Sequence, residues 1–174
     1  MFLTFCKNLW SSLARHPRRW LALLALACLA LLGFGLYLQH VLGLQPCPLC
    51  IVQRYALIGV ALAAASGAAV RGPTVRAVCV VLTAVLASFG AAVAARQSWL
   101  QWYPPEVLIC GRDFFGMIEA FPLRRVIPML FRGTGDCTKI DWTFLGLSIA
   151  NWSFLSFVAI VSFALLLWLR RKPA

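Results

Sequence analysis

Four long stretches without a charged residue govern what this chain can fold into. They are Trp20 to Leu38 (nineteen residues), Tyr55 to Val70 (sixteen), Ala77 to Ala95 (nineteen) and Trp142 to Leu169 (twenty-eight). In hydrocarbon every backbone N–H and C=O must be satisfied within its own segment, so such runs fold as helices. At about 1.5 Å per residue, a hydrocarbon core about 30 Å thick takes about 20 residues. The second run is too short unless its helix starts near Cys50, which puts Arg54 in the membrane-embedded part, close to one face. The last run is too long, so either its helix tilts or its first residues, 143–151, lie in the interface. The expectation is one all-α membrane domain over 1–174, a bundle of four transmembrane helices at about 20–38, 51–70, 77–95 and 145–169.

The charges set the orientation. A chain that is 62% hydrophobic, 12% charged and +11 overall is far more apolar than a soluble domain. Nine of its cations (Lys7, Arg15, Arg18, Arg19, Arg71, Arg76, Arg170, Arg171, Lys172) flank apolar runs. There they would meet anionic headgroups of the lipid bilayer on the cytoplasmic side. With no recognition motif for it, nucleic acid is excluded as a partner. The first run is longer than the apolar region of a secretory signal and no small-x-small cleavage site follows it, so it is read as an uncleaved span. Four spans place both termini on one side, and the basic residues make that side the cytoplasm. The loops at about 39–49 and 96–141 then face outward. The first has no charged residue, and the second holds all five acids of the chain against six cations. Between Phe114 and Phe131, Leu123, Ile127 and Leu130 recur at helical spacing, as in a short interfacial helix. Ordinary loop packing broken by Pro122 and Pro128 is the alternative.

Seven cysteines divide by location. Cys28 and Cys79 fall in spans and Cys6 in the cytoplasmic tail, where small apolar fillers or reduced thiols suffice. Cys47, Cys50, Cys110 and Cys137 all face outward, two in each loop. An even number in an oxidising compartment points to two disulfides. A Cys47–Cys50 bridge closes too small a loop to remove much entropy from the unfolded chain, so redox chemistry is its better explanation. Pro48 suits the first helical position and Cys47 the N-cap, so the helix is expected to begin inside the motif. Cys50 then lies in the first turn, where free backbone N–H groups and the helix dipole favour a thiolate. Arg54 follows one turn deeper on the same face. A cation at that depth is costly, which assigns it to stabilising the Cys50 thiolate or the oxyanion of a reduced acceptor. The competing role is a simple anchor snorkelling to the headgroups.

A thiol oxidant must pass its electrons on. The chain has no glycine-rich dinucleotide loop, and Ile51 follows Cys50 where haem attachment would need a histidine. By elimination, a redox dithiol at the top of a membrane helix points to a borrowed, lipid-soluble two-electron carrier, a quinone.

The motifs resemble those of the DsbB (disulfide bond formation protein B) family. The match runs through Leu38-Gln39-His40-Val41 and Gln45-Pro46-Cys47-Pro48-Leu49-Cys50-Ile51-Val52-Gln53-Arg54-Tyr55-Ala56-Leu57. It continues through Tyr103-Pro104 ahead of Cys110, Gly135-Asp136-Cys137, Trp142-Thr143-Phe144-Leu145-Gly146-Leu147 and Trp152. The resemblance implies an enzyme, a quinone-dependent protein disulfide oxidoreductase of the bacterial inner membrane with its redox loops in the periplasm. It implies a DsbA-like thioredoxin-fold partner that attacks a Cys110–Cys137 disulfide at Cys110. Released Cys137 attacks Cys47, and Cys50 then reacts with ubiquinone or menaquinone, bound non-covalently with the help of Arg54. Val107-Leu108-Ile109 would lie in the groove beside the partner's reactive cysteine.

Two positions depart from the family pattern. Gln97 stands where relatives can carry a histidine near the quinone, and Gln53 where an acid can occur beside the arginine. Gln97 and Trp152 are quinone-site candidates, with interfacial packing as the alternative for each. A vitamin K epoxide reductase-like protein is excluded by order, because there the loop cysteines precede the membrane motif. No metal is expected: a structural zinc site would bring its ligands in two short knuckles, whereas Cys110 and Cys137 are 27 positions apart. The alternative kept is a membrane protein with a structural disulfide or zinc site and no redox turnover. Pairing of Cys47 with Cys137 across the loops is as compatible with the counts as pairing within each loop.

Overall fold

The computed structural model describes residues 16–104 and 137–170. Four helices run through them: α1 (Pro17–His40), α2 (Pro48–Ala69), α3 (Pro73–Trp102) and α4 (Ile149–Leu169). All four are long and apolar enough to cross a membrane, which makes the chain a multi-pass membrane protein. Between α3 and α4 lies a two-stranded antiparallel hairpin, β1 (Thr143–Phe144) and β2 (Leu147–Ser148). The Cys110 position, the 107–109 segment and the expected interfacial helix at 114–131 lie outside the described residues.

Local chemistry sets the helix starts. Each of α1, α2 and α3 carries a proline in its first turn, where the missing N–H costs nothing. α4 is capped instead by Ser148, whose Oγ accepts from the Asn151 N–H at 3.4 Å. At the other end of α2 the Arg18 guanidinium donates to the carbonyls of Ala68 and Ala69, at 2.7 and 3.2 Å. These are carbonyls that the helix itself leaves unpaired.

Small residues bring the helices together. α3 packs against both α2 and α4, and α1 packs on α2. The buried residues of α3 include Val80, Thr83, Ala87, Gly90, Ala94 and Gln97, spaced alternately three and four apart along one face. Where lipid tails are as apolar as leucine, close van der Waals contact replaces the hydrophobic drive, and small residues permit it. Gly90 illustrates this: a Cβ there would lie 2.4 Å from the Phe157 ring of α4. Cys28, Val60, Ala87, Phe157 and Ile160 share one core cluster, so every helix contributes to it. Trp20 and Phe163 meet near the basic end, ring centroids 6.1 Å apart.

The first three helices begin three or four residues ahead of the expected spans, at Pro17, Pro48 and Pro73, and two further boundaries differ for identifiable reasons. α3 continues seven residues past Ala95, because a charge ends an uncharged run without ending a helix: Arg96 is exposed while Gln97 and Ser98 turn inward. α4 begins at Ile149 rather than near 145, because Leu145 and Gly146 have φ of 53° and 78°. That left-handed pair makes the tight hairpin turn, which a helix cannot include.

Candidate functional site

The cysteine-bearing end is built on the N-terminus of α2. Cys47 is its N-cap in extended conformation, and its Sγ accepts from the Cys50 N–H at 3.4 Å. That cap holds the two Sγ atoms 2.9 Å apart, against about 2.05 Å for a disulfide. Cys137, from the segment ahead of β1, hydrogen-bonds to the Cys47 side chain. Leu49, Val93 and Leu100 pack around the group. Cys47 is therefore flanked by a sulfur on either side. Hydrogen bonds to Cys137 and then to Cys50, together with burial, hold the Cys47 thiol well above its usual range.

The last turns of α3 supply the polar partners. Gln97, only 4% exposed, donates from Nε2 to the Cys50 Sγ at 3.2 Å, and its Oε1 accepts from Gln53 Nε2 at 2.6 Å. One turn on, Gln101 donates to the Lys139 carbonyl at 3.4 Å and accepts from the Ser148 hydroxyl at 2.6 Å. Gln101 thus ties the Cys137-bearing segment and the α4 cap to α3. Neither Gln53 nor Gln101 was singled out from the sequence as a site residue. The signal for Gln97 was present in the stripe of small residues, which it extends three positions beyond Ala94.

Arg54 lies on the Cys50 face, one turn further into α2. Its Nη1 donates to Gln39 Oε1 at 2.6 Å and its Nη2 to the Gly35 carbonyl at 3.3 Å. Both acceptors come from α1, so the guanidinium is held within the bundle rather than extended to the surface.

Beside these groups is a cavity of about 650 Å³. Leu31, Phe34, Leu57 and Phe157 give it apolar walls, and Cys50, Arg54 and Gln97 give it a polar patch. Trp152 lines it too, and its Nε1 donates to the Phe144 carbonyl at 3.1 Å. Trp142 stacks on Phe144 at 6.0 Å and meets Phe34 edge-on at 6.1 Å, so the hairpin forms an aromatic wall. Of the residues picked out from the sequence, Cys47, Cys50, Cys137, Arg54, Gln97 and Trp152 are gathered around this cavity or its rim. Cys28 is buried in the core and Cys79 touches Gly67, both away from it.

The architecture has relatives. The family model described as "Disulfide bond formation protein DsbB" matches residues 17–167. A protein named "Disulfide bond formation protein B" from Polaromonas sp. is 63% identical over 167 residues, covering 96% of this chain and 95% of its own. One of the same name from Paracidovorax citrulli is 62% identical over 157 residues, covering 90% and 89%. Another, from Aromatoleum aromaticum, is 49% identical over 149 residues, covering 83% and 88%. With a family match over most of its length and a membrane bundle that brings three cysteines together, the chain belongs to the DsbB family of disulfide bond formation proteins.

Proposed function

We propose that this protein is a quinone-dependent thiol oxidase of the bacterial inner membrane, which reoxidises a periplasmic DsbA-like dithiol protein. The observation that carries the reading is the Cys47–Cys50 pair, with Cys137 on one side and an apolar cavity with a polar patch on the other. Thiols arrive from the loop side, and electrons leave toward the membrane side.

The steps balance as successive thiolate exchanges. A thiolate of the reduced partner attacks Cys110 of a Cys110–Cys137 disulfide, and Cys137 leaves as the thiolate. Cys137 attacks Cys47, breaking the Cys47–Cys50 bond and releasing Cys50. The partner's second thiol displaces Cys110 and the partner departs oxidised. Cys110 then recovers Cys137, which frees Cys47 to rejoin Cys50 as two electrons leave. A quinone held in the cavity supplies the acceptor for those two electrons and two protons. The residues present fit such a group: a ring-bearing lipid needs apolar walls and few polar contacts. Arg54, fixed by Gln39 and Gly35, would face a developing oxyanion, and Trp152 would border the ring. Family membership favours this turnover over a structural disulfide or a zinc site.

The test is oxidation of a reduced thioredoxin-fold partner by purified protein, with and without added ubiquinone or menaquinone. Turnover should require quinone and disappear in Cys50→Ser. Arg54→Ala should need about tenfold more quinone for half-maximal rate, the loss of one charge-assisted contact. Absence of turnover by the unaltered protein with either quinone would return the four cysteines to a structural role.

A further inference from the structure

The side chain of Gln53 meets Gln97 of α3 at the edge of the cavity that Arg54 also lines. It is 6% exposed, and its one recorded contact with a site residue is the 2.6 Å bond from its Nε2 to Gln97 Oε1. Both ends of the Gln97 amide lie near Cys50, Nε2 at 3.2 Å and Oε1 at 3.6 Å from the sulfur, so either could be turned toward it. These two orientations differ in effect. An N–H aimed at sulfur stabilises a thiolate, whereas a carbonyl oxygen aimed at it opposes one. A freely rotating amide would mix them.

We propose that Gln53 is a positioning residue that orients the Gln97 amide, so that its neutral N–H donor faces the Cys50 sulfur. Gln53 can offer Nε2 only to an acceptor, and the acceptor of Gln97 is Oε1. With Gln53 bonded to Oε1, the Nε2 of Gln97 is the end nearer the Cys50 sulfur, at 3.2 Å against 3.6 Å for Oε1. The two glutamines are 44 positions apart on neighbouring helices, so this orientation also depends on the register of α2 against α3. Both groups are neutral throughout the working range, and the donor therefore does not titrate. Among the described residues few ionisable groups surround the sulfur: Cys47 caps its helix and Arg54 lies on it, and Cys137 lies beyond Cys47. Lys139 and Asp141 line the same cavity, while α1 contributes Gln39 through Arg54 and α3 contributes Gln97 itself.

This inference rests on Cys50 being the cysteine that faces the acceptor, but its test needs neither quinone nor partner. In the reduced, quinone-free, full-length protein in detergent, the rate of Cys50 alkylation by iodoacetamide is followed against pH, read from the mass of its peptide. Gln97→Met removes the donor and should raise the midpoint by about one pH unit, a roughly tenfold loss of thiolate at fixed lower pH. Gln53→Met should shift it in the same direction, and the double variant should match Gln97→Met alone, because Gln53 acts only through Gln97. Gln53→Asn keeps a buried amide but withdraws it by one methylene, and should also raise the midpoint. An unchanged midpoint in both Gln53 variants, or additive shifts in the double variant, would overturn the proposal. Either result leaves the quinone-dependent turnover to be judged by its own assay.

Discussion

At the residue scale, Cys47 is held between two sulfurs, with Cys137 on one side and Cys50 on the other. Cys47, Pro48, Cys50 and Arg54 fall within one helical turn or two of each other, so N-cap geometry and the i to i+4 relation fix their relative positions from sequence alone. Gln97 meets Cys50 across 47 positions, and Cys137 reaches Cys47 from a different loop. Contacts of that kind follow from helix register and loop path, which no local pattern encodes. The position of Cys47 between two thiols has a consequence for stability. Its folded thiol is held up by Cys137, Cys50 and burial, while an unfolded one ionises near its ordinary 9.0. Above that pH the unfolded chain releases a proton that the folded one keeps, so stability is full below about 9 and falls as pH rises. Reduced protein in detergent should lose up to about 1.4 kcal/mol per pH unit between pH 9 and 10 from this group. Cys47→Ser should remove that part of the slope in thermal melts. An equal slope in the variant would mean that Cys47 titrates normally.

At the element scale, the uncharged runs located each of the four described helices but misjudged where they begin or end. Hydropathy marks the part of a helix that must be in lipid, whereas the ends answer to caps and turns. Arg96 sits on an exposed flank of a helix that goes on to Trp102, and the positive φ values at Leu145 and Gly146 interrupt a run that is uncharged throughout. The α3–α4 contact rests on absent volume. At Gly90, alanine would bring a Cβ within 2.4 Å of the Phe157 ring, itself 3% exposed. Displacing that ring disturbs its packing, so overpacking of about 1–3 kcal/mol should outweigh the roughly 1 kcal/mol that alanine gains in helix propensity. Gly90→Ala should therefore melt earlier. Phe157→Leu shrinks the opposing side chain, and the double variant should be more stable than the sum of the two single losses. Strict additivity would show that the two residues are not in contact.

For the whole molecule, sidedness decides whether the chemistry can occur at all. A Cys47–Cys50 disulfide would persist only where thiols are not kept reduced, so the proposed turnover requires that end to face an oxidising compartment. The charges argue for that orientation. The turn between α2 and α3 and the first turn of α3 carry Arg71 and Arg76, with Arg18 and Arg19 beside them, while the first loop has no charge. Short basic loops are retained in the cytoplasm because anionic headgroups and the membrane potential both oppose their passage. The two sides can be told apart with one new cysteine at each end. Leu42 is 51% exposed in the first loop, and Thr74 is exposed at the start of α3. In intact cells a membrane-impermeant maleimide should modify Leu42→Cys and spare Thr74→Cys, read from the masses of the peptides carrying them. Permeabilising the inner membrane should make both reactive. The reverse pattern would put the Cys47–Cys50 pair in a reducing compartment, where a resting disulfide could not last and electrons could not be drawn from an exported partner.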